Sequence, residues 1–220
     1  MICFIPHDAP APLRRAEIKR ICRRDAEGKC APAENTAGGK AGKGTVDGMA
    51  NGVAGLWGIE ARAFRVPFMP FTHNFWALVD AAGKVADQLH GLAVDPRTGK
   101  AKAIGWSAHR LLAVRGAGFA WALQPGQPAA VCARGGETEV AARWLAAAAA
   151  IPAINGLELR YPNLWQHGFR ANSNSMFSTF GLIMGFDAPA ELLPTLAPGA
   201  KLVVSRELIE LYRYRPPSTG

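Results

Sequence analysis

The chain has 220 residues, 49% of them apolar and 19% charged, with a formal charge of +8. That length suits one well-buried core plus a substantial tail and is short for two domains of ordinary size. The apolar share excludes disorder over most of the chain, and the excess of cations favours anionic partners.

The region from Met1 to Thr45 holds nine Lys or Arg against five Asp or Glu, so about half of the excess charge sits there. A short helix is expected around residues 16 to 24. Its cations could meet nucleic acid, an acidic membrane face or an acidic protein, or could simply form a solvated polar face. No aromatic side chains interleave them as stacking on bases requires, which argues against nucleic acid as the partner. Eight glycines fall among the 23 residues from Thr36 to Gly58, with little periodic hydrophobicity, and this stretch reads as a linker. Residues 1 to 58 are therefore read as a basic, glycine-rich arm and residues 59 to 220 as the folded domain. The run Gly38–Gly44 lacks the ending and the preceding strand of a phosphate loop.

From Ile59 onward short apolar runs alternate with turn residues. Strands are expected over Ile59–Val66, His73–Asp80 and Lys84–Val94, with a meander continuing through Ala101–Trp106 and His109–Val114. If Asp80 pairs with Gly83 across a two-residue loop, His73 stands directly opposite His90 on one face of the sheet. Such a pair can act as a general base with an orienting partner, or it can be two polar residues on an exposed face.

Glu137–Ile151 is alanine-rich with acidic residues in its first turn, and predicts a helix ended by Pro152. A second helix is expected to start within Asn172–Ser175 and to run through Met176, Phe177, Phe180 and Met184 to Gly185. Lys201–Tyr214 reads equally as helix or strand. The fold class is thus α+β, an antiparallel sheet packed against helices. The run Asn172-Ser173-Asn174-Ser175 suits an N-cap, because its side chains accept hydrogen bonds from the orphan amides of the first turn. The same place suits a nucleophile, since those amides stabilise a developing anion.

The four cysteines, Cys3, Cys22, Cys30 and Cys132, lack the spacing of a zinc site or a disulfide framework and read as free thiols. No cofactor motif is present. The longest apolar run, Trp144–Ile154, is too short to cross a bilayer and contains Pro152. With no signal-peptide pattern either, the expectation is a protein made in the cytoplasm, a reading compatible with export by a signal-independent secretion machine.

The order His73, His90, then a helix opening on Asn-Ser-Asn resembles the circularly permuted papain-like enzymes of the NlpC-type permuted, lecithin retinol acyltransferase-like and PPPDE-like groups. The likeness covers about residues 70 to 185. In those groups the motif reads Asn-Cys-x-x-Phe, and setting Ser173 at the cysteine position places Asn172 before it and Met176 at the buried position. Setting Ser175 there leaves polar Ser178 at that position, so Ser175 is the fallback. The resemblance implies a papain-like core in permuted order and a hydrolase or acyltransferase acting on an amide, thioester or ester bond. In it Ser173 is the nucleophile, His73 the base and His90 its orienting partner, with Asn172 and Asn174 beside the substrate; His167, in the segment before the motif, could line the same cleft with Trp165 or be a solvated loop residue. It implies a peptide, peptidoglycan or acyl substrate, and by analogy a bacterial cell-wall amidase or secreted effector toxin with an immunity or chaperone partner. Here a hydroxyl replaces the family's reactive thiolate. That serine is a true nucleophile, a replacement of the cysteine, or the mark of a lineage that kept binding and lost catalysis. The alternative is a non-catalytic binding module on the same scaffold.

Overall fold

The computed structural model describes residues 55–216, and the expected basic arm and its helix lie outside them. Alternating apolar residues in the first half of this region pair into one antiparallel sheet. Its six strands are β1 (Trp57–Arg65), β2 (Thr72–Val79), β3 (Val85–Val94), β4 (Ala101–Lys102), β5 (Arg110–Arg115) and β6 (Ala129–Gly135). The order is β4-β3-β2-β1-β6, with β5 also pairing β3. Three helices follow: α1 (Glu137–Gly156), α2 (Ser173–Ile183) and α3 (Arg206–Tyr212). Among the described residues no helix is long and apolar enough to cross a membrane.

Strand alternation gives the sheet two different faces. Ile59, Ala61, Trp76, Leu78, Leu89 and Leu111 point to the helices and join Trp144, Met176, Phe177 and Phe180 in the main core. The opposite face carries Phe64, Phe75 and Ala77, closed by Phe119, Trp121 and Ala122 from the segment between β5 and β6. That segment therefore straps one side of the sheet while the helices cover the other.

Pro152 lies inside α1, which continues to Gly156 instead of ending there. The last turn is held from outside: Ile154 is buried, and the Asn155 amide bonds both the N–H and the C=O of Ala113 on β5 at 2.8 and 3.0 Å. Those bonds offset the one that proline removes. At the end of α2, Gly185 takes φ +83°, and Phe186 N–H donates to Gly181 O at 3.0 Å, the pattern of a Schellman turn. The segment from Lys201 to Tyr214 forms a helix over Arg206–Tyr212, capped by Ser205. Strand β6, with Cys132 in it, has no equivalent in the sequence reading, because AAVCARG lacks an alternation strong enough to mark it.

Strands β2 and β3 part company above the Trp76–Leu89 pair, the last of their register toward the start of β2. The backbone of β2 is satisfied there by α2. Asn174 Oδ1 accepts from Asn74 N–H at 2.9 Å, and Asn174 Nδ2 donates to Thr72 O at 3.1 Å, so one side-chain amide stands in for a neighbouring strand. On β3, Gly91 admits the helix: a Cβ there would lie 2.4 Å from Met176 Cβ and 3.0 Å from Ser173 O.

Candidate functional site

Two polar constellations surround this fork, on opposite faces of β3. His90 and Gly91 are consecutive, so while Gly91 abuts Ser173, His90 turns to the strap.

The β2–β3 turn is longer than two residues. Asp80 N–H donates to Lys84 O, the Asp80 carboxylate takes the amides of Ala82 and Lys84, and Gly83 sits at φ +80°. With the added irregularity between Leu78 and Val79, Trp76 faces Leu89, so the expected direct pairing of His73 with His90 is corrected by two residues. A shift of two preserves the face. The imidazoles are diagonal neighbours, with His73 Nε2 and His90 Nδ1 3.1 Å apart.

His90 Nε2 lies 3.1 Å from Gln88 Oε1, which only accepts, so the His90 proton sits on Nε2 and its Nδ1 accepts from His73 Nε2–H. The chain of donors is satisfied with both rings neutral. Aromatic rings box it in: Phe75 stacks on His90 at 4.7 Å, Phe119 meets it edge-on at 4.7 Å, and Phe64 lies 5.0 Å from His73. Burial lowers His73 to about 4. His90 also falls well below its ordinary value, through burial first and the neighbouring His73 second.

Ser173 lies on the helix side. Its hydroxyl is 3.1 Å from the Tyr161 hydroxyl, and burial raises the Tyr161 pKa. Among the described residues no hydrogen bond joins Ser173 to His73 or His90. The triad expected from Ser173, His73 and His90 is thus not assembled: the pair belongs to the strapped face and the serine to the helix face.

The rest of the motif holds the fold together. Asn172 Oδ1 accepts from the amides of Asn174 and Ser175 at 2.9 and 3.2 Å, and its Nδ2 donates to His167 O and Pro198 O, each at 3.0 Å. Asn174 Nδ2 also reaches Pro198 O. Ser175 Oγ, the fallback nucleophile, accepts from Asn172 N–H at 3.1 Å and donates to Gly199 O at 2.8 Å, fully buried. Met176 N–H bonds Asn172 O, so three of the first four amides of α2, those of Asn174, Ser175 and Met176, are already taken by Asn172. We expect Ser175→Ala to cost about 1–2 kcal/mol, read by urea denaturation, because it leaves the buried Asn172 N–H without its acceptor and breaks the capping box, while Gly199 O keeps the Leu202 amide.

Of the residues expected to line a cleft, Asn172 and Asn174 are these buried staples. Trp165 projects from a short 3-10 turn, Leu164–Gln166, and is 74% exposed. His167 is buried on the Ser173 side, its ring 5.6 Å from that of Tyr161, with Nε2 partnerless. Burial lowers its pKa, opposed by the Pro162 carbonyl. Sequence reasoning did not single out Tyr161 or Gln88. Gln88 was accessible to it, since it lies two residues from His90 on the same strand face. Among the described residues no three His, Cys, Asp or Glu side chains gather as metal ligands.

Comparison of the chain with protein-family models, with curated proteins and with solved structures finds no match.

Proposed function

We propose that this domain acts by binding, with the serines and asparagines of Asn172–Ser175 serving the fold and the basic arm supplying attraction to an anionic partner. The observation that carries the reading is the commitment of the helix start. Three of its first four amides are bonded to Asn172, three of its four polar side chains are bonded to backbone carbonyls, and both imidazoles expected beside Ser173 are neutral, boxed and on the other face. An active-site serine needs a base within hydrogen-bond reach and donors waiting for an oxyanion. The test is labelling with a fluorophosphonate and with an acyl-transfer probe, followed by mapping of the adduct. The expected result is an unlabelled Ser173, and a Ser173→Ala chain that folds with a loss of about 1 kcal/mol. Stoichiometric adduct at Ser173 would overturn the reading.

The second reading is acyl transfer at Ser173 on a permuted papain-like scaffold, with an amide, ester or thioester as substrate. The partnerless Nε2 of His167 favours it, since this imidazole shares the Tyr161 environment with the serine. The same labelling decides between the two, and under this reading His167→Ala would abolish the adduct.

A further inference from the structure

Three loops meet at the end of the domain where α2 begins. The β1–β2 loop, residues 66 to 71, touches the 163–170 segment through the rings of Phe71 and His167, 6.2 Å apart. The 193–200 segment is bound to both, by Leu196 O to Thr72 N–H at 2.9 Å and by Pro198 O and His167 O to the one Asn172 amide. These loops carry their apolar side chains outward. Phe68 is fully exposed, Phe169 84%, Trp165 74% and Leu196 62%.

The β1–β2 loop is unusual in composition. Val66-Pro67-Phe68-Met69-Pro70-Phe71 is six apolar residues in a row at a hairpin tip, where polar turn formers are the rule. Two prolines stiffen it, and Phe68 is held at φ +64°, a left-handed conformation that is a genuine outlier for a bulky side chain. Backbone strain and an exposed ring at one position indicate a tip shaped for something outside the chain.

The charges around this end have one sign. Residues 66–72 contain none, with Arg65 just before. Between Leu159 and Phe186 the charged residues are Arg160 and Arg170, and between Leu192 and Leu202 there is Lys201. All four cations are exposed. No carboxylate pairs with them among the described residues.

We infer that this end docks on an anionic lipid surface, with Phe68 and its loop entering the headgroup boundary, Trp165 and Phe169 lying at the interface, and Arg65 and Arg170 meeting lipid phosphates. A protein partner would be expected to offer a pocket to a buried anchor. A stiff, wholly apolar tip flanked by Arg65, with Arg170 and Lys201 in and beside the adjoining loops, fits a fluid interface instead, where aromatic rings sit at headgroup level and cations are drawn to anionic lipid. This deepens the binding reading and rests on it by naming the partner.

The experiment is co-sedimentation of the full chain with phosphatidylcholine vesicles prepared with and without phosphatidylserine. The companion variant is Phe68→Asn with Trp165→Ser, both at exposed positions and the first tolerant of a left-handed backbone. The expected result is binding to the anionic vesicles that the double variant weakens by about tenfold or more, with unchanged thermal unfolding. Failure to sediment overturns the inference, as does sedimentation that the double variant leaves intact, which would assign the effect to the arm. Self-association of the parent chain that the variant abolishes, seen by analytical ultracentrifugation, also overturns it, by showing a second copy on this face. Any of these results with Ser173 unlabelled removes the lipid alone, whereas labelled Ser173 removes the binding reading itself.

Discussion

Asn172→Ala is expected to destabilise the domain by about 2–5 kcal/mol, a large share of the roughly 5–15 kcal/mol that holds a typical domain folded. The side chain makes four hydrogen bonds, two to amides of the first turn of α2 and two to carbonyls of separate loops, at His167 and Pro198. Loss of an N-cap costs about 1–2 kcal/mol, and the His167 carbonyl left without its donor adds about 1–3 kcal/mol, while Pro198 O keeps the Asn174 amide. The site cannot collapse to compensate, because Gly199 already packs against the amide, its φ of +82° fixed and a Cβ there lying 2.6 Å from Asn172 Nδ2. The decisive comparison is Asn172→Asp. As a helix cap, Asp equals Asn and adds a favourable charge at the positive end of the helix dipole. Here it would turn a second oxygen toward two carbonyl oxygens. We therefore expect Asp to fail as a rescue, with a urea midpoint near that of the Ala variant. Recovery of parental stability by Asp would show that capping alone matters and that the link to the loops carries no energy.

This prediction separates what the sequence made legible from what it did not. The helix start at Asn172 could be read because capping is local chemistry: a short polar side chain meets amides two and three residues ahead. The same is true of the shared face of His73 and His90, which follows from a period of two and survives the register error. The register itself differs because pairing Asp80 with Gly83 across a two-residue loop leaves Gly83 outside the turn, whereas Asp80 pairs with Lys84. A glycine at the left-handed position after a type I turn that opens on Asp marks a three-residue loop with a bulge, and Asp80-Ala81-Ala82-Gly83 carries that signal. What no local rule could supply is which face of the sheet α2 would cover. Both faces of β2 are apolar apart from polar side chains near its start, His73 on one and Thr72 with Asn74 on the other. The choice is settled by a distant glycine, since only at Gly91 can a helix backbone come so close to β3. That placement puts Ser173 over Gly91 and leaves His90, the next residue, on the far side.

The imidazole pair should make the domain acid-sensitive at a pH higher than carboxylates alone would. His73 is lowered from 6.5 to about 4 in the folded state, and His90 is lowered as well. In the unfolded chain both take up protons near 6.5, before the folded protein does, so falling pH favours unfolding. The His73 contribution is therefore fully present above about pH 6.5, is lost progressively down to about pH 4, and changes little below that. For His73 alone the shift corresponds to about 3 kcal/mol, and His90 acts in the same direction. His167 also has a lowered pKa and contributes with the same sign. The pair is isolated by His73→Phe, which places an apolar ring in a box already formed by Phe64, Phe75 and Trp121. Urea midpoints measured from pH 7.5 to 4 should fall steeply for the parent chain, and the variant should show a slope reduced by about one proton. A parental midpoint that stays level between pH 7 and 5 would mean the rings are hydrated or charged in the folded state. That result would also reopen the catalytic question, because an imidazole able to exchange protons near neutrality is what a general base requires, and one held neutral in an aromatic box is not.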